Sequence, residues 1–129
     1  MVAGWFRQTG ADVIACTHTC LPVLWHGELD GDPKAVVNNG SAGMGNLAGD
    51  RRGLITRIAR FRPLVAPVAS RRVAEVAVSL LPVDFDHAAW LSRFDQLWPA
   101  GSDAAESYRQ RLIFGTSLDS GQVVFPAGI

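Results

Sequence analysis

The sequence predicts an α/β fold with an α+β-like arrangement, in which a mixed β-sheet is followed by two C-terminal helices. Short apolar runs separated by Gly, Pro and Asn turns fill residues 1–83, a pattern typical of β-strands. Residues 84–115 carry apolar side chains at helical spacing, and residues 116–129 form a tail that is expected to be weakly structured. The 129 residues, 48% hydrophobic and 19% charged, fit one soluble domain with a modest core.

The sheet domain is predicted to begin with a helix end and a β-hairpin. Residues 2–8 are expected to be the last part of a helix. Gly10 is expected to terminate this helix, because glycine readily takes the left-handed conformation. A short buried strand is expected at residues 13–16, and residues 21–25 lead into a second strand. The Asp-Gly-Asp-Pro sequence of residues 30–33 is a strong turn signal. It predicts that residues 35–37 return as the other strand of a hairpin.

Two further strands are predicted after a long loop. This loop, residues 38–53, is rich in Gly and Asn. Residues 54–61 are predicted to form a strand, and residues 62–70, which hold two prolines, a connection. The longest strand candidate covers residues 72–83, since its side chains alternate between a more buried and a less buried face.

The last third of the sequence predicts two helices. The first is capped by Asp84 or Asp86 and ended by Pro99. Its apolar stripe, which suits a core or an interface, consists of Trp90, Leu91, Phe94, Leu97 and Trp98. The second helix is expected to start at Asp103, which has a glutamate three residues later as in a capping box, and to run to Gly115.

Polar residues follow two of the predicted strands. The strand at residues 13–16 runs into Thr-His-Thr-Cys at residues 17–20, and the strand at residues 35–37 runs into Asn-Asn-Gly-Ser at residues 38–41. Two strands that end in polar loops at one edge of a sheet can form a ligand site. The Asn-Gly turn has two open interpretations, a nest of backbone N–H groups for an anion or a tight turn that needs glycine.

His18 and Cys20 are the candidate metal ligands of this region. In an extended chain, residues two apart share a face at a spacing of about 6.6 Å, so both side chains can reach one metal or two adjacent metals. Cys16 is then expected to be a core residue. Two alternatives stay open: His18 can be a hydrogen-bonded structural group, and Cys20 can be a packing residue. A disulfide is not expected, because extended Cys16 and Cys20 lie about 13 Å apart, beyond bridging distance.

The two polar segments, with the strand that follows them, resemble the last two motifs of the calcineurin-like metallophosphoesterases. In that family a strand runs into Gly-His-x-His, and a later turn reads Asn-Pro-Gly-Ser. Thr17 stands in place of the usual glycine here, and Cys20 in place of the second histidine. The resemblance implies that the mixed sheet is the C-terminal half of the family's αββα sandwich. It also implies that His18 and Cys20 bind divalent manganese, iron or zinc. The residues that it implies to border a phosphate-ester substrate are Asn38, Asn39, Gly40 and Ser41.

The earlier motifs of that family, Asp-x-His, Gly-Asp-x-x-Asp and Gly-Asn-His, do not occur in this sequence. The chain is therefore expected to be the C-terminal part of such an enzyme and to be inactive alone. A partner chain that supplies the N-terminal half would complete the site. A sheet cut from a larger sandwich exposes an edge and an apolar face, so poor solubility or oligomerisation is expected.

Charge and composition define the competing functions. Seven arginines and no acid lie in residues 51–72, which indicates either solvated strand faces or an anion-facing surface, although the formal net charge is zero. One alternative function is a non-catalytic interaction or oligomerisation module that uses the tryptophan-rich helices. Nucleic-acid binding is the least favoured, because aromatic residues are not interleaved with the arginines. No signal peptide and no apolar run of roughly 18 residues is present, which predicts a cytoplasmic protein without a membrane partner.

Overall fold

Two β-sheets and three α-helices make up the structure, a computed structural model that describes residues 2–126. The helices are α1 (Val2–Thr9), α2 (His87–Leu97) and α3 (Asp103–Phe114). The strands are β1 (Val13–Cys16), β2 (Pro22–Leu29), β3 (Asp32–Asn39), β4 (Gly53–Ala59), β5 (Ala69–Val73), β6 (Val76–Val83) and β7 (Val124–Pro126). The predicted mixture of helices and strands is confirmed, and both predicted C-terminal helices are present. The strands form two sheets rather than the single mixed sheet that the sequence predicts, and β7 follows the helices. None of the described helices combines the length and the apolar character needed to cross a membrane.

The first sheet has the strand order β1-β3-β2-β7. β2 and β3 form the predicted hairpin around Asp30 and Gly31, which both take positive φ values, as a two-residue hairpin turn requires. β1 lies parallel to β3, and β7 lies parallel to β2. The tail was expected to be weakly structured. This expectation is wrong for its last described part, which forms β7. Val123, which precedes β7, is fully buried, and Val124 of β7 packs against the same core, so apolar contact adds to the pairing with β2.

The second sheet is antiparallel, with the order β4-β6-β5. The single strand predicted for residues 72–83 is wrong, because the chain reverses at Ala74 and Glu75 and pairs Val73 with Val76. Ala74 has a φ of 47°, an uncommon value for a residue with a Cβ. The reversal lets Val73 and Val78 both enter the core, where each is at most 1% exposed.

The main core consists of apolar residues from both sheets. Its fully buried members from the first sheet include Leu24 and Val37, and those from the second include Val78 and Leu80. Burial of one such side chain contributes about 1.5–3 kcal/mol. Residues 13–16 form the expected strand, but the expectation that this strand is buried is wrong. β1 is an edge strand whose one described neighbour is β3, so Ala15 and Cys16 are exposed.

A smaller cluster joins the two C-terminal helices. Asp86, one of the two caps that the sequence predicts for α2, caps this helix by accepting a hydrogen bond from the N–H of Ala89. Ser102, rather than the predicted Asp103, caps α3, because its hydroxyl accepts from the N–H of Ala105. Gly115 ends α3 with a φ of 73°, as expected. The buried residues of the cluster are Phe94, Ala105 and Leu112.

Candidate metal-binding edge of the first sheet

Parallel pairing of β1 and β3 brings the two polar segments together at one edge of the first sheet. Cys16, the last residue of β1, lies opposite Asn38 of β3. The Asn38 side chain is buried, and its Nδ2 donates to Thr19 Oγ1 at 2.9 Å and to the Thr17 carbonyl at 3.3 Å. Its Oδ1 accepts the N–H of Gly40 at 2.8 Å. One amide therefore fastens the 17–20 loop to the 38–41 turn.

The 17–20 loop is not extended, so the predicted spacing of about 6.6 Å between His18 and Cys20 does not apply. His18 has a φ of 88° and Cys20 a φ of 58°. Among the described residues, the other non-glycine residues with positive φ are Asp30 and Ala74, and both lie in hairpin turns. Such conformations cost about 1–3 kcal/mol each and concentrate at functional sites. Two such residues lie in one four-residue loop, so contacts with the rest of the protein must stabilise the conformation of this loop.

The side chains of this loop are accessible. His18 is exposed, Cys20 is half-buried, and both cysteines of the chain are free, as predicted. The expectation that Cys16 is a core residue is wrong, because β1 lies at the sheet edge and leaves this thiol exposed. The Cys16 Sγ donates to the Val37 carbonyl at 3.5 Å.

The 38–41 turn is built tightly. Gly40 has a φ of 71°, and a Cβ at this position would lie 2.2 Å from Asn46 Oδ1. The Ser41 N–H donates to that same Oδ1 at 2.7 Å, and Asn46 Nδ2 donates to the Ser41 carbonyl at 2.6 Å. Because the N–H groups of Gly40 and Ser41 are both bonded within the protein, they favour the tight-turn interpretation over an anion nest.

Two residues that support this edge were not predicted from the sequence. Asn46 is buried and closes the 38–41 turn by the bonds just described. Arg111 of α3 donates from Nη2 to the Cys20 carbonyl and from Nε to the Gly45 carbonyl, the latter at 3.2 Å. The asparagines of the 38–53 loop are only a weak sequence signal that an amide such as Asn46 supports the turn. No local pattern signals Arg111, which lies 91 residues from Cys20 in the sequence.

The 17–20 loop supplies two side chains of metal-ligating type, the imidazole of His18 and the thiol of Cys20. Within residues 2–126, no group of three or more His, Cys, Asp or Glu side chains is placed to hold a metal ion. Asp50, in the loop that follows the turn, is bound by Arg52, whose Nη2 lies 2.7 Å from Asp50 Oδ2. This guanidinium lowers the pKa of the Asp50 carboxyl below its ordinary value, chiefly by hydrogen bonding. His18 and Cys20 thus offer at most two ligands, whereas a structural zinc site has four.

The chain matches no protein-family model, no curated protein and no solved structure. The relation to the metallophosphoesterases rests on the residues of its two motifs, and it stays a prediction.

Proposed function

We propose that this chain is the C-terminal segment of a metal-dependent phosphoesterase and carries the last metal-ligand motif of the site. His18 and Cys20 bind a divalent ion of the manganese, iron or zinc class, and Asn38, Asn39, Gly40 and Ser41 border the phosphate ester. The observation that carries the proposal is the buried Asn38 amide, which binds the His18 loop and the Asn-Gly-Ser turn into one unit.

Each candidate ligand has suitable chemistry. The His18 imidazole coordinates in its neutral form, and Cys20 coordinates as a thiolate, which favours zinc or iron over manganese. A bound metal ion polarises a phosphoryl group and lowers the pKa of a bound water. The left-handed backbone of both residues is supported by bonds from Asn38 and Arg111, so protein contacts themselves help to hold the loop in this conformation.

The isolated chain is proposed to be inactive. Two ligands leave most coordination positions of a two-metal centre unfilled, so another protein segment must supply the rest. Among residues 2–126, β1 pairs with no strand other than β3, so its outer edge, beside the 17–20 loop, can accept a further strand. A partner chain added at this edge would bring its own side chains next to His18. The proposed compartment is the cytoplasm, where both thiols stay reduced.

Equilibrium dialysis against zinc or manganese, followed by elemental analysis, tests the metal assignment. We expect near-stoichiometric zinc in the unmodified chain and loss of that metal in the His18→Ala, Cys20→Ala double variant. Cys16→Ala and His26→Ala serve as matched controls, because they remove the same ligand types at positions outside the 17–20 loop, and both should retain the metal. The absence of metal from the unmodified chain, or equal loss in the controls, would refute the assignment.

A second candidate is a non-catalytic interaction module. The observation that favours it is the incomplete burial of the helical stripe: Phe94 is buried, whereas Trp90 is 36% and Trp98 39% exposed. A mainly apolar hollow of about 500 Å³ lies beside Trp90 and Phe85. Light scattering distinguishes the two candidates. A dimer that Trp90→Ser and Trp98→Ser convert to a monomer, in a protein that binds no metal, would favour the interaction module.

A further inference from the structure

A cleft of about 540 Å³ lies between the 62–67 connection and the second sheet. Three arginines line it, namely Arg62, Arg71 and Arg72, and Ser70 of β5 lies among them. The cleft is built from β5, β6 and the connection before β5, whereas the 17–20 loop belongs to the first sheet. The two regions can therefore be tested separately.

The three cleft arginines have no carboxylate partner among residues 2–126. Other arginines of the described chain are paired with acids, and these are Arg7, Arg52, Arg60 and Arg109. Glu75, the acid nearest to Arg72 in the sequence, is bound to Arg60. Glu28 lines a neighbouring hollow together with Arg72 and Lys34, but no ion pair joins Glu28 to Arg72, and Lys34 is paired with Asp12. Among the described residues, the cleft arginines therefore keep a positive charge that no ion-paired carboxylate neutralises.

Neutral acceptors hold two of these guanidinium groups in place. Arg71 donates from Nε to His26 Nε2 at 3.2 Å and from Nη1 to the Ser70 carbonyl at 2.8 Å. Arg72 donates from Nη2 to the Glu75 carbonyl at 3.2 Å. These bonds restrict the side chains without neutralising them, so less conformational entropy is lost when an anion binds.

The remaining wall of the cleft is apolar. Leu64 is fully exposed and Val65 is 56% exposed, both in the proline-flanked 62–67 connection. On the second sheet, Ser70 Oγ lies 2.8 Å from Ser79 Oγ, and Ser79 is fully buried. The cleft thus combines fixed cationic groups, a hydroxyl and an apolar side, and its volume is in the range of small-molecule sites.

We propose that this cleft binds the phosphate group of a small phosphorylated molecule. The guanidinium groups of Arg62 and Arg72 contact phosphate oxygens, a pairing for which the planar fork of arginine is well suited. Arg71, whose side chain leaves the other face of β5 toward His26, adds positive charge at the rim of the cleft. Leu64 and Val65 contact the apolar part that adjoins the phosphate. The ligand is either a free phosphorylated molecule or the headgroup of an anionic lipid, since both present the same chemistry.

Titration with inorganic phosphate at low ionic strength, followed by amide chemical shifts, tests the proposal. We expect saturable shifts in residues 62–72. Arg71→Gln with Arg72→Gln should weaken binding about tenfold or more, because charge-assisted hydrogen bonds are lost. Arg71→Lys with Arg72→Lys keeps the charge and should show an intermediate loss.

A matched control removes two positive charges elsewhere. Arg51 and Arg93 also bond to neutral acceptors, and Arg51→Gln with Arg93→Gln should leave the affinity within about twofold. The His18→Ala, Cys20→Ala variant should also bind phosphate normally. No saturable binding, or an equal loss in the Arg51 and Arg93 control, would overturn the proposal.

Vesicles of phosphatidylcholine with and without phosphatidic acid identify the source of the phosphate. Binding to acidic vesicles that the Arg71 and Arg72 variant loses supports the cleft with a lipid headgroup as ligand. Binding of free phosphate without vesicle binding supports the cleft with a soluble ligand. Binding to neither probe contradicts it.

Discussion

Cys16 and Asn38 lie opposite each other across the parallel strands β1 and β3. This pairing places the end of β1 beside the 38–41 turn, and the Asn38 amide then reaches into the 17–20 loop. The candidate ligands are therefore positioned by a residue that does not itself need to bind metal.

Asn38→Ala should destabilise the fold and loosen the His18 loop. The variant removes hydrogen bonds to Thr17, Thr19 and Gly40 at a buried position, at a cost of about 1–3 kcal/mol in the free energy of unfolding. Urea denaturation measures it. Asp32→Ala, at the exposed start of the same strand, should change stability by less than about 0.5 kcal/mol. Equal effects of the two variants would contradict the role of Asn38.

Gly40→Ala should be strongly destabilising. A methyl group there would lie 2.2 Å from Asn46 Oδ1, and the φ of 71° is unfavourable for alanine. We expect a loss of about 2 kcal/mol or more in thermal or urea unfolding. Gly43→Ala is the matched control, because its Cβ would meet no atom within 4 Å. If Gly40→Ala were as stable as the control, the tight turn would not be as described.

Local residue chemistry predicts part of this fold. The Asp30-Gly31 turn and the Asp86 cap of α2 were predictable because turn and cap residues act within a few positions of themselves. The β5–β6 reversal was not, since Ala74 and Glu75 carry no turn signature and tertiary packing imposes the conformation. β7 was missed because it pairs with β2, far away in the sequence.

The candidate site was predictable only as a pair of segments. The sequence predicts that the two polar loops lie at one edge of a sheet, but not that β1 and β3 are parallel neighbours. It does not predict the left-handed backbone at His18 and Cys20 either, since neither is glycine. The contact between Arg111 and the Cys20 carbonyl depends on how α3 packs, which no local pattern encodes.

Acid should weaken the loop that contains Asp50. Its pKa is lowered in the folded state, first by the hydrogen bonds from Arg52, so this contribution is fully present above the unfolded pKa of about 4. It is lost as the pH falls through the lower folded pKa. We expect Asp50→Asn and Arg52→Gln each to flatten the fall in stability below about pH 4, measured by urea unfolding. Slopes equal to that of the unmodified protein would contradict this contribution.

Arg111→Ala should free the 17–20 loop from α3. Loss of the bonds to the Cys20 and Gly45 carbonyls should raise hydrogen–deuterium exchange in residues 17–24, which exchange measurements by mass spectrometry detect. Arg109→Ala, on the same helix but paired with exposed Asp95, should leave that exchange unchanged. Similar exchange in the two variants would remove Arg111 from the support of the site.

The absorption spectrum of the Co²⁺ complex shows whether His18 and Cys20 bind one metal. A cysteine thiolate bound to Co²⁺ produces a ligand-to-metal charge-transfer band, so we expect this band in the unmodified chain and in Cys16→Ala. We also expect the band to disappear in Cys20→Ala and to weaken in His18→Ala. A band that Cys16→Ala abolishes and Cys20→Ala retains, or no band at all, would show that these residues are not the ligands.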